Sequence, residues 1–350
     1  MNVNKDDLDW AASQGVISSE QAETLWMALG KHAQTQPRLN FVNSLYYFGA
    51  LIVIAAMGWF MNLAWEQFGG AGIFAIAVAY ALGFVIAGWR FWSREDYKVV
   101  GGLLITMAVA MTPLALYGLE RWTGLWPAAD PGVYRDFHEW IRGGWIVMEL
   151  GTILAGLIAL ARVRFPFLTA PVAFALWFMS MDLTPLIVGG PNFSWHARLW
   201  VSLSFGLVML LVSFLVDRRT KEDFAYWGYL FGMLAFWGGL SLMNSGSQLA
   251  KFGYCLINVG LMWISVLLQR RVFMVFGAMG VFGYLGYLAY DVFAHSMLFP
   301  FVLSGIGLLV ILAGVVYQRN SRQIESRVLG AIPRGLRELL PTERAGMSAL

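Results

Sequence analysis

The sequence predicts an all-α integral membrane protein, a polytopic bundle of about ten transmembrane helices. The first observation is composition: 59% of the 350 residues are hydrophobic and 13% are charged, whereas soluble domains are about 45 to 50% apolar and about 25% charged. The second is that apolar runs of about 20 residues recur between Phe41 and Tyr317, and each is long enough to cross the hydrocarbon core as a helix.

The apolar runs locate the predicted spans along the chain. They cover about residues 42–64, 69–88, 99–118, 144–161, 166–188, 198–216, 224–243, 251–269, 272–290 and 297–317. Residues 41–318 are therefore predicted to form the transmembrane bundle. Because the number of spans is even, both termini are expected on the same side of the membrane.

The distribution of basic residues predicts which side that is. Most of the 24 Lys and Arg residues fall in the two terminal segments and in the loops around Arg90, Arg162, Arg218 and Arg270. The opposite side carries Arg121, Arg135, Arg142, Arg198 and Lys251. Since short cytoplasmic loops retain Lys and Arg, both termini are predicted to be cytoplasmic.

The first 40 residues are predicted to form a cytosolic helical hairpin around Gly15. Ser18 and Gln21 have the spacing of a capping box, which starts the second helix. Residues 1–40 lack an apolar run of the kind found in a cleaved signal peptide. A hairpin of this size is too small to bury its own core, so it should lie on the membrane, on the inner loops or on a cytosolic protein partner.

The stretch DLDWAASQGVISSEQAETL is followed by the first span and by GWFMNLAWEQFG at the outer end of that span. Together these stretches resemble a family of uncharacterised prokaryotic multi-span membrane proteins that open with a short helical hairpin. The resemblance is concentrated in residues 7–70. It implies a location in the bacterial inner membrane, and it implies no chemistry.

Two further soluble pieces are predicted. The loop at about 119–143 should lie outside the membrane and cap the outer face, since loops of this length are usually functional or disordered. The tail, residues 319–350, contains a basic amphipathic segment. Docking on anionic lipid would gain about 1 kcal/mol for each well-placed Arg; a helix that binds a protein partner is the alternative.

Two carboxylates lie within the predicted spans. Spans four and five are joined by a tight inner turn, and counting from it places Glu149 at roughly 21 Å and Asp182 at roughly 27 Å. Both therefore fall in the outer half of the bilayer, within about one helical turn of each other. Charged groups at this depth usually face the bundle interior or a wet cavity, which predicts a shared site for a cation, a proton or a polar solute.

Two Thr-Pro steps could complete such a site. Thr112 precedes Pro113 in span three and Thr184 precedes Pro185 in span five. Each proline removes a backbone donor and frees a carbonyl one turn earlier. Asn62 and Asn258 are further polar groups that could contribute, although the sequence does not show that they converge.

A purely structural interpretation of these groups stays open at this point. Asp182 could extend to the outer interface, Glu149 could bond a neighbouring backbone group, and proline kinks are common in membrane helices. Similarly, His138, His196 and His295 fall on the predicted outer side and could gather a transition metal ion or sense the external pH. No spacing typical of metal ligands connects them, so ordinary surface histidines are the alternative.

The remaining patterns limit the functions to be considered. Cys255 is the single cysteine, which excludes an intrachain disulfide and a cage of several cysteines. Glycines at 228 and 232 and at 277, 280, 283 and 286 predict close helix packing inside the bundle, with a dimer seam as the alternative. Phosphate-binding and nucleophile motifs are absent from the sequence, so no cofactor, nucleic-acid partner or soluble-type catalysis is expected.

Three functions fit these observations. The first is binding or transport of a cation, a proton or a small polar solute through the first five spans. The second is a scaffold or sensor that does not transport and that acts through the hairpin and the tail. The third is a membrane-embedded enzyme using Glu149, Asp182 or the outer histidines, which requires catalytic geometry in one pocket.

Overall fold

The structure is a computed structural model, and every element in the part of the chain that it describes is helical. The description covers residues 5–34, 41–126, 144–188, 195–220, 222–243, 246–292, 297, 300–305, 307, 308, 312, 315 and 319. The predicted all-α fold class is confirmed over these residues.

The N-terminal segment contains two short helices that pack together. Helix α1 (Lys5–Ser13) and helix α2 (Ser19–Gln34) pack against each other. Gly15 adopts a φ of 70° in the turn between them, and its N–H donates to the carbonyl of Ala12. The predicted capping box is present: the Gln21 N–H donates to Ser18 Oγ at 3.1 Å, and the Ser18 N–H donates to Gln21 Oε1 at 2.9 Å. These reciprocal bonds satisfy backbone donors that a helix start leaves free.

Ten further helices follow along the described residues. They are α3 (Phe41–Gln67), α4 (Gly69–Trp92), α5 (Lys98–Ala110), α6 (Thr112–Thr123), α7 (Gly144–Arg162), α8 (Thr169–Val188), α9 (Trp195–Arg219), α10 (Tyr226–Leu242), α11 (Gln248–Leu268) and α12 (Arg271–Tyr287). A π-helix, Leu288–Val292, continues α12, and residues 300–305 are also helical.

Six of the described helical segments are long and apolar enough to cross a membrane. They are Gly69–Trp92, Glu95–Thr123, Trp145–Arg162, Trp195–Arg219, Gln248–Leu268 and Arg271–Tyr290. The chain is thus a helical protein with several membrane-capable helices. The count of ten spans and the cytoplasmic side of the termini stay predictions.

The third predicted span differs in detail from the sequence-based boundary. It is divided at Met111, immediately before Thr112 and Pro113, so that α5 ends and α6 begins there. Helix α6 then continues to Thr123 and ends at Gly124, whose φ is 73°. The loop predicted at about 119–143 therefore begins later, because the polar residues after the apolar run complete one more helical turn. Residues 127–143 lie outside the described part.

The described helices belong to two compact units. Unit 1 contains α1 to α6, the part of α7 from Gly151 onward, the 3-10 turn Pro166–Leu168 and the first residues of α8. Unit 2 contains α7 up to Leu150, α8 from Val172 onward, and α9 to α12.

Unit 1 is built around the packing of α4 on α5 and α6. Glycines make these crossings close: a Cβ at Gly88 would meet Ile105, and one at Gly118 would meet the backbone of Phe74. The core beneath them is Ala50, Leu103, Ile105, Met107, Val109, Val163, Phe165 and Leu168. Close approach of backbones is how helices in lipid gain packing energy.

Unit 2 is built from two helix pairs, α9 with α10 and α11 with α12, and α10 also packs on α12. Gly206 and Gly232 bring α9 and α10 together, and Gly277 and Gly280 bring α12 against α11. Of the glycines predicted to pack inside the bundle, Gly232, Gly277 and Gly280 lie at these contacts. Gly283, in contrast, has open space where a Cβ would lie. The shared core is Leu210, Ala225, Tyr229, Met233, Leu261, Val272, Phe273 and Phe276.

Candidate functional site

Glu149 and Asp182 come together within unit 2. Glu149 lies in the second turn of α7, and Asp182 lies in α8. Their side chains are within hydrogen-bonding reach of each other. Both are buried, with 5% of Glu149 and 4% of Asp182 exposed. The structure thus brings two carboxyl groups into direct contact inside a helical bundle.

The carboxyl oxygens at this contact lack donors. Within the described residues, three of these oxygens have no hydrogen-bond partner: both oxygens of Glu149 and Oδ2 of Asp182. A buried polar atom left in this state costs about 1 to 3 kcal/mol, and more when it is charged. Two ionised carboxylates in contact would also repel each other. The arrangement therefore needs a positive charge or a proton to be stable.

Arg198 is the charged neighbour of this pair. It lies in the first turns of α9 and is half-buried, and its positive charge acts on Asp182. Arg198 was predicted to lie on the outer side, as a topology marker without a role in a site. One guanidinium offsets one carboxylate, so the three groups together carry a single excess negative charge when both acids are ionised.

Aromatic packing and a hydrogen bond connect α8 and α9 to α10. On α8, Phe174 and Trp177 pack against Phe231 of α10, with ring centroids 5.6 Å and 5.8 Å apart. Helix α10 in turn lies against α9, where Ser202 Oγ donates to the carbonyl of Ala235 at 3.0 Å. The helices bearing Asp182 and Arg198 are therefore both fixed to α10.

The predicted Thr-Pro residues, Thr112 and Thr184, lie on two different helices. Thr112 is half-buried at the start of α6, in unit 1. Helix α8 stays helical through Thr184 and Pro185 to Val188. The side chains of Thr184 and Asn62 lie outside the described part. Of the four predicted binding residues, the structure thus brings together Glu149 and Asp182.

Asn258 has a packing role that accounts for its polarity. It is fully buried in α11, where its Oδ1 accepts from Trp237 Nε1 at 3.0 Å and its Nδ2 donates to the carbonyl of Tyr254 at 2.8 Å. A Cβ at Gly280 of α12 would overlap the Asn258 side chain. Asn258 therefore links α10, α11 and α12, and its hydrogen bonds are used within that contact.

The described residues do not bring the three histidines of the predicted metal site together. His196 is exposed in the first turn of α9, while His138 and His295 lie outside the described residues. In the part of the chain that the structure describes, no three His, Cys, Asp or Glu side chains are grouped so that they could hold a metal ion.

A buried ion cluster between α9 and the α11–α12 turn was not predicted. Arg270 donates through Nη2 and Nε to the two oxygens of Asp217, the latter at 3.0 Å, and through Nη1 to Asp223 Oδ1 at 2.8 Å. Its guanidinium also lies over the Tyr229 ring. Sequence-based prediction did not include Asp217, because this acid adjoins Arg218 and Arg219 and is read with them as part of a charged loop. The signal in the sequence is an acid at the end of an apolar span.

Glu120 is a second buried acid that the sequence-based prediction assigned to a loop. It lies in α6, in unit 1, and its Oε2 has no partner among the described residues. The backbone N–H of Trp126 donates to the Glu120 carbonyl at 3.1 Å and closes the end of the helix. Glu120 therefore belongs to the helix end in unit 1.

Comparison with known proteins supports the membrane assignment. Residues 9–118 match a family described as predicted membrane protein, DUF2157. The expected resemblance to an uncharacterised membrane-protein family is confirmed to that extent. No curated protein and no solved structure matches the chain. Glu149 and Asp182 lie beyond the matched residues, so the interpretation of this site depends on its own chemistry.

Proposed function

We propose that this membrane protein binds a proton or a small cation at the contact between Glu149 and Asp182. The observation that carries the proposal is the meeting of two buried carboxyl groups whose oxygens lack donors within the described residues. Ionisable groups inside membrane helices are costly to bury, and they commonly mark pathways for ions or protons. Binding of a positive species would remove both the repulsion and the unsatisfied oxygens.

The experiment is thermal unfolding of the purified full-length protein between about pH 5 and about pH 8, with and without added cations. A species that binds the folded state better than the unfolded state raises the unfolding temperature. We expect protons or a cation to stabilise the wild type, and Glu149→Gln and Asp182→Asn each to remove that effect.

Glu20→Gln is the matched control, because Glu20 is exposed on α2 and has the same side chain as Glu149. It should respond to pH and cations like the wild type. Equal responses of the wild type, Glu149→Gln and Asp182→Asn would overturn the proposal, because the pair would then have no part in binding.

We further propose that the chain resides in the bacterial inner membrane with both termini in the cytoplasm. Basic residues lie in the last turns of α4, α7 and α9, at Arg90, Arg162 and Arg218. This supports the prediction that successive loops alternate between the two sides of the membrane, with the basic loops in the cytoplasm. The test replaces Cys255 and labels single cysteines in successive loops from outside. Strong external labelling near Arg218 would overturn this orientation.

A scaffold or sensor function is the second candidate, and one observation favours it. The hairpin exposes apolar side chains, among them Trp10, which is 65% exposed, and Met27. A partner or a lipid surface could cover them. The difference in fluorescence between wild type and Trp10→Phe isolates the Trp10 signal from the other tryptophans. Quenching of that signal by brominated lipid in anionic vesicles would assign this face to the membrane and leave the scaffold function without a surface. Absence of quenching would support the scaffold function.

A further inference from the structure

We propose that the ligand of the Glu149–Asp182 pair is a single proton, and that Arg198 sets this number by balancing the second carboxylate. This inference rests on the proposed function of the pair. It goes further by naming the ligand and by giving a role to Arg198, which neither the sequence patterns nor the family similarity assigns to any site.

The geometry of the pair fits a shared proton. The two carboxyl side chains are already within hydrogen-bonding reach. A carboxyl group that carries the proton can donate directly to the carboxylate opposite. Such a bond would also satisfy an oxygen of Glu149 that has no donor among the described residues.

The charges around the pair fit one proton. Glu149 contributes one negative charge from α7, Asp182 contributes another from α8, and Arg198 contributes one positive charge from α9. Among the residues that the structure describes, these are the charged groups that act on the two carboxyl groups. Because an uncompensated charge in a bundle interior is costly, neutrality requires one further positive charge. A divalent ion would leave an excess of positive charge.

The donor set favours a proton over a metal ion. Metal ions such as Ca²⁺ or Mg²⁺ take about six or more oxygen ligands. Around the pair, the described residues supply carboxylates from Glu149 and Asp182, and no third acidic, histidine or cysteine side chain joins them. A proton needs only the two oxygens that already face each other.

The test measures the pH dependence of unfolding in the full-length protein at constant ionic strength. A proton held by the folded state and released on unfolding lowers the folding equilibrium constant by up to about tenfold per pH unit as the pH rises above about 5. The wild type should show this one-proton slope. Glu149→Gln and Asp182→Asn should lose it, because the remaining carboxylate is balanced by Arg198.

Variants of Arg198 test its role separately. Arg198→Gln leaves two uncompensated carboxylates, so it should bind two protons and show a slope of up to about a hundredfold per pH unit. Arg198→Lys keeps the positive charge and should keep the one-proton slope. If Arg198→Gln fails to fold, the double variant Arg198→Gln with Asp182→Asn decides the same point. Its remaining carboxylate has no balancing charge, so it should regain the one-proton slope that Asp182→Asn alone lacks.

The outcomes distinguish this inference from the proposed function. Exchange of Na⁺ for K⁺, choline or Mg²⁺ should leave the wild-type stability unchanged. A stabilisation specific to one metal cation, lost in Asp182→Asn, would overturn the proton while preserving a cation site. Equal pH slopes in the wild type, Glu149→Gln and Asp182→Asn, without any cation effect, would overturn both. An unchanged one-proton slope in Arg198→Gln would overturn the role of Arg198.

Discussion

Glu149 and Asp182 lie on different helices of unit 2, and their buried carboxyl groups contact each other. Two like-charged groups are rarely placed together in a low-dielectric interior, since each raises the cost of ionising the other. The relationship therefore has a measurable consequence for stability, independent of any transport activity.

Glu149→Gln should stabilise the folded protein at about pH 8 by about 1 to 3 kcal/mol. The introduced amide can donate to Asp182, which removes the carboxylate repulsion and satisfies a buried oxygen. The gain should shrink as the pH falls, because protonation relieves the wild type in the same way. Chemical unfolding in detergent at about pH 5 and about pH 8 measures both values.

Arg270→Ala should destabilise the protein by about 3 to 5 kcal/mol, because it leaves the buried carboxylate of Asp217 without its partner. The double variant Asp217→Leu with Arg270→Met should recover a large part of this loss, since no buried charge remains. Arg271→Ala is the matched control, because Arg271 is exposed beside the cluster. An equal loss in Arg271→Ala would contradict the importance of the cluster.

The Arg270 cluster should be insensitive to alkaline pH. Burial lowers the pKa of Arg270, but the hydrogen bond to Asp217 and the charges of Asp223 and Asp217 raise it by more, so that the pKa lies above its ordinary value. A group with a raised pKa gives stability that is lost only as the pH rises through that value. The difference in unfolding free energy between wild type and Arg270→Ala should therefore stay constant between about pH 7 and about pH 10. A steady decline of that difference over this range would contradict the assignment.

Gly280→Ala should destabilise the protein by about 1 to 3 kcal/mol, because the added methyl group overlaps Asn258 where α12 crosses α11. Combining it with Asn258→Ala should restore space at the contact, although Trp237 then loses its acceptor. Thermal unfolding of both variants measures the coupling between these positions.

Gly283→Ala provides the contrast for Gly280→Ala. Gly283 lies on the same helix, is exposed and has open space at the Cβ position. Because alanine favours helix over glycine by about 1 kcal/mol, this variant should be neutral or slightly stabilised. Equal destabilisation by both substitutions would show that Gly283 also lies at an interface, as a dimer seam requires.

Ser18→Ala should open the start of α2, because its hydroxyl accepts the Gln21 N–H. Loss of such a cap costs about 1 kcal/mol. Hydrogen exchange at Gln21 should therefore become about fivefold faster. Ser19→Ala, at the next position, should leave that rate unchanged, and an equal acceleration there would remove the capping box as the cause.

The sequence was informative where a single local rule dominates. Composition and run length predicted the helical membrane class, and the Ser18 and Gln21 spacing predicted the capping box that the structure contains. The break before Thr112 and Pro113 follows from the missing backbone donor of proline. These features depend on neighbours in the chain, which a sequence displays directly.

The features that the sequence did not reveal depend on residues distant in the chain. Counting along two antiparallel helices placed Glu149 and Asp182 at similar depths, but depth alone does not say which way a side chain faces. Arg198 and Arg270 were counted as loop charges, because a basic residue beside a span is usually solvated. Their roles depend on the packing of α9 on its neighbours, which hydropathy does not encode.

Infrared difference spectroscopy of carboxyl groups in the full-length protein tests the central claim most directly. Raising the pH from about 5 to about 10 should remove the absorption of a protonated carboxyl group in the wild type. Glu149→Gln and Asp182→Asn should each lack that signal, while Glu20→Gln should keep it. A signal that persists in both pair variants, or that is absent from the wild type, would contradict a proton-binding pair at Glu149 and Asp182.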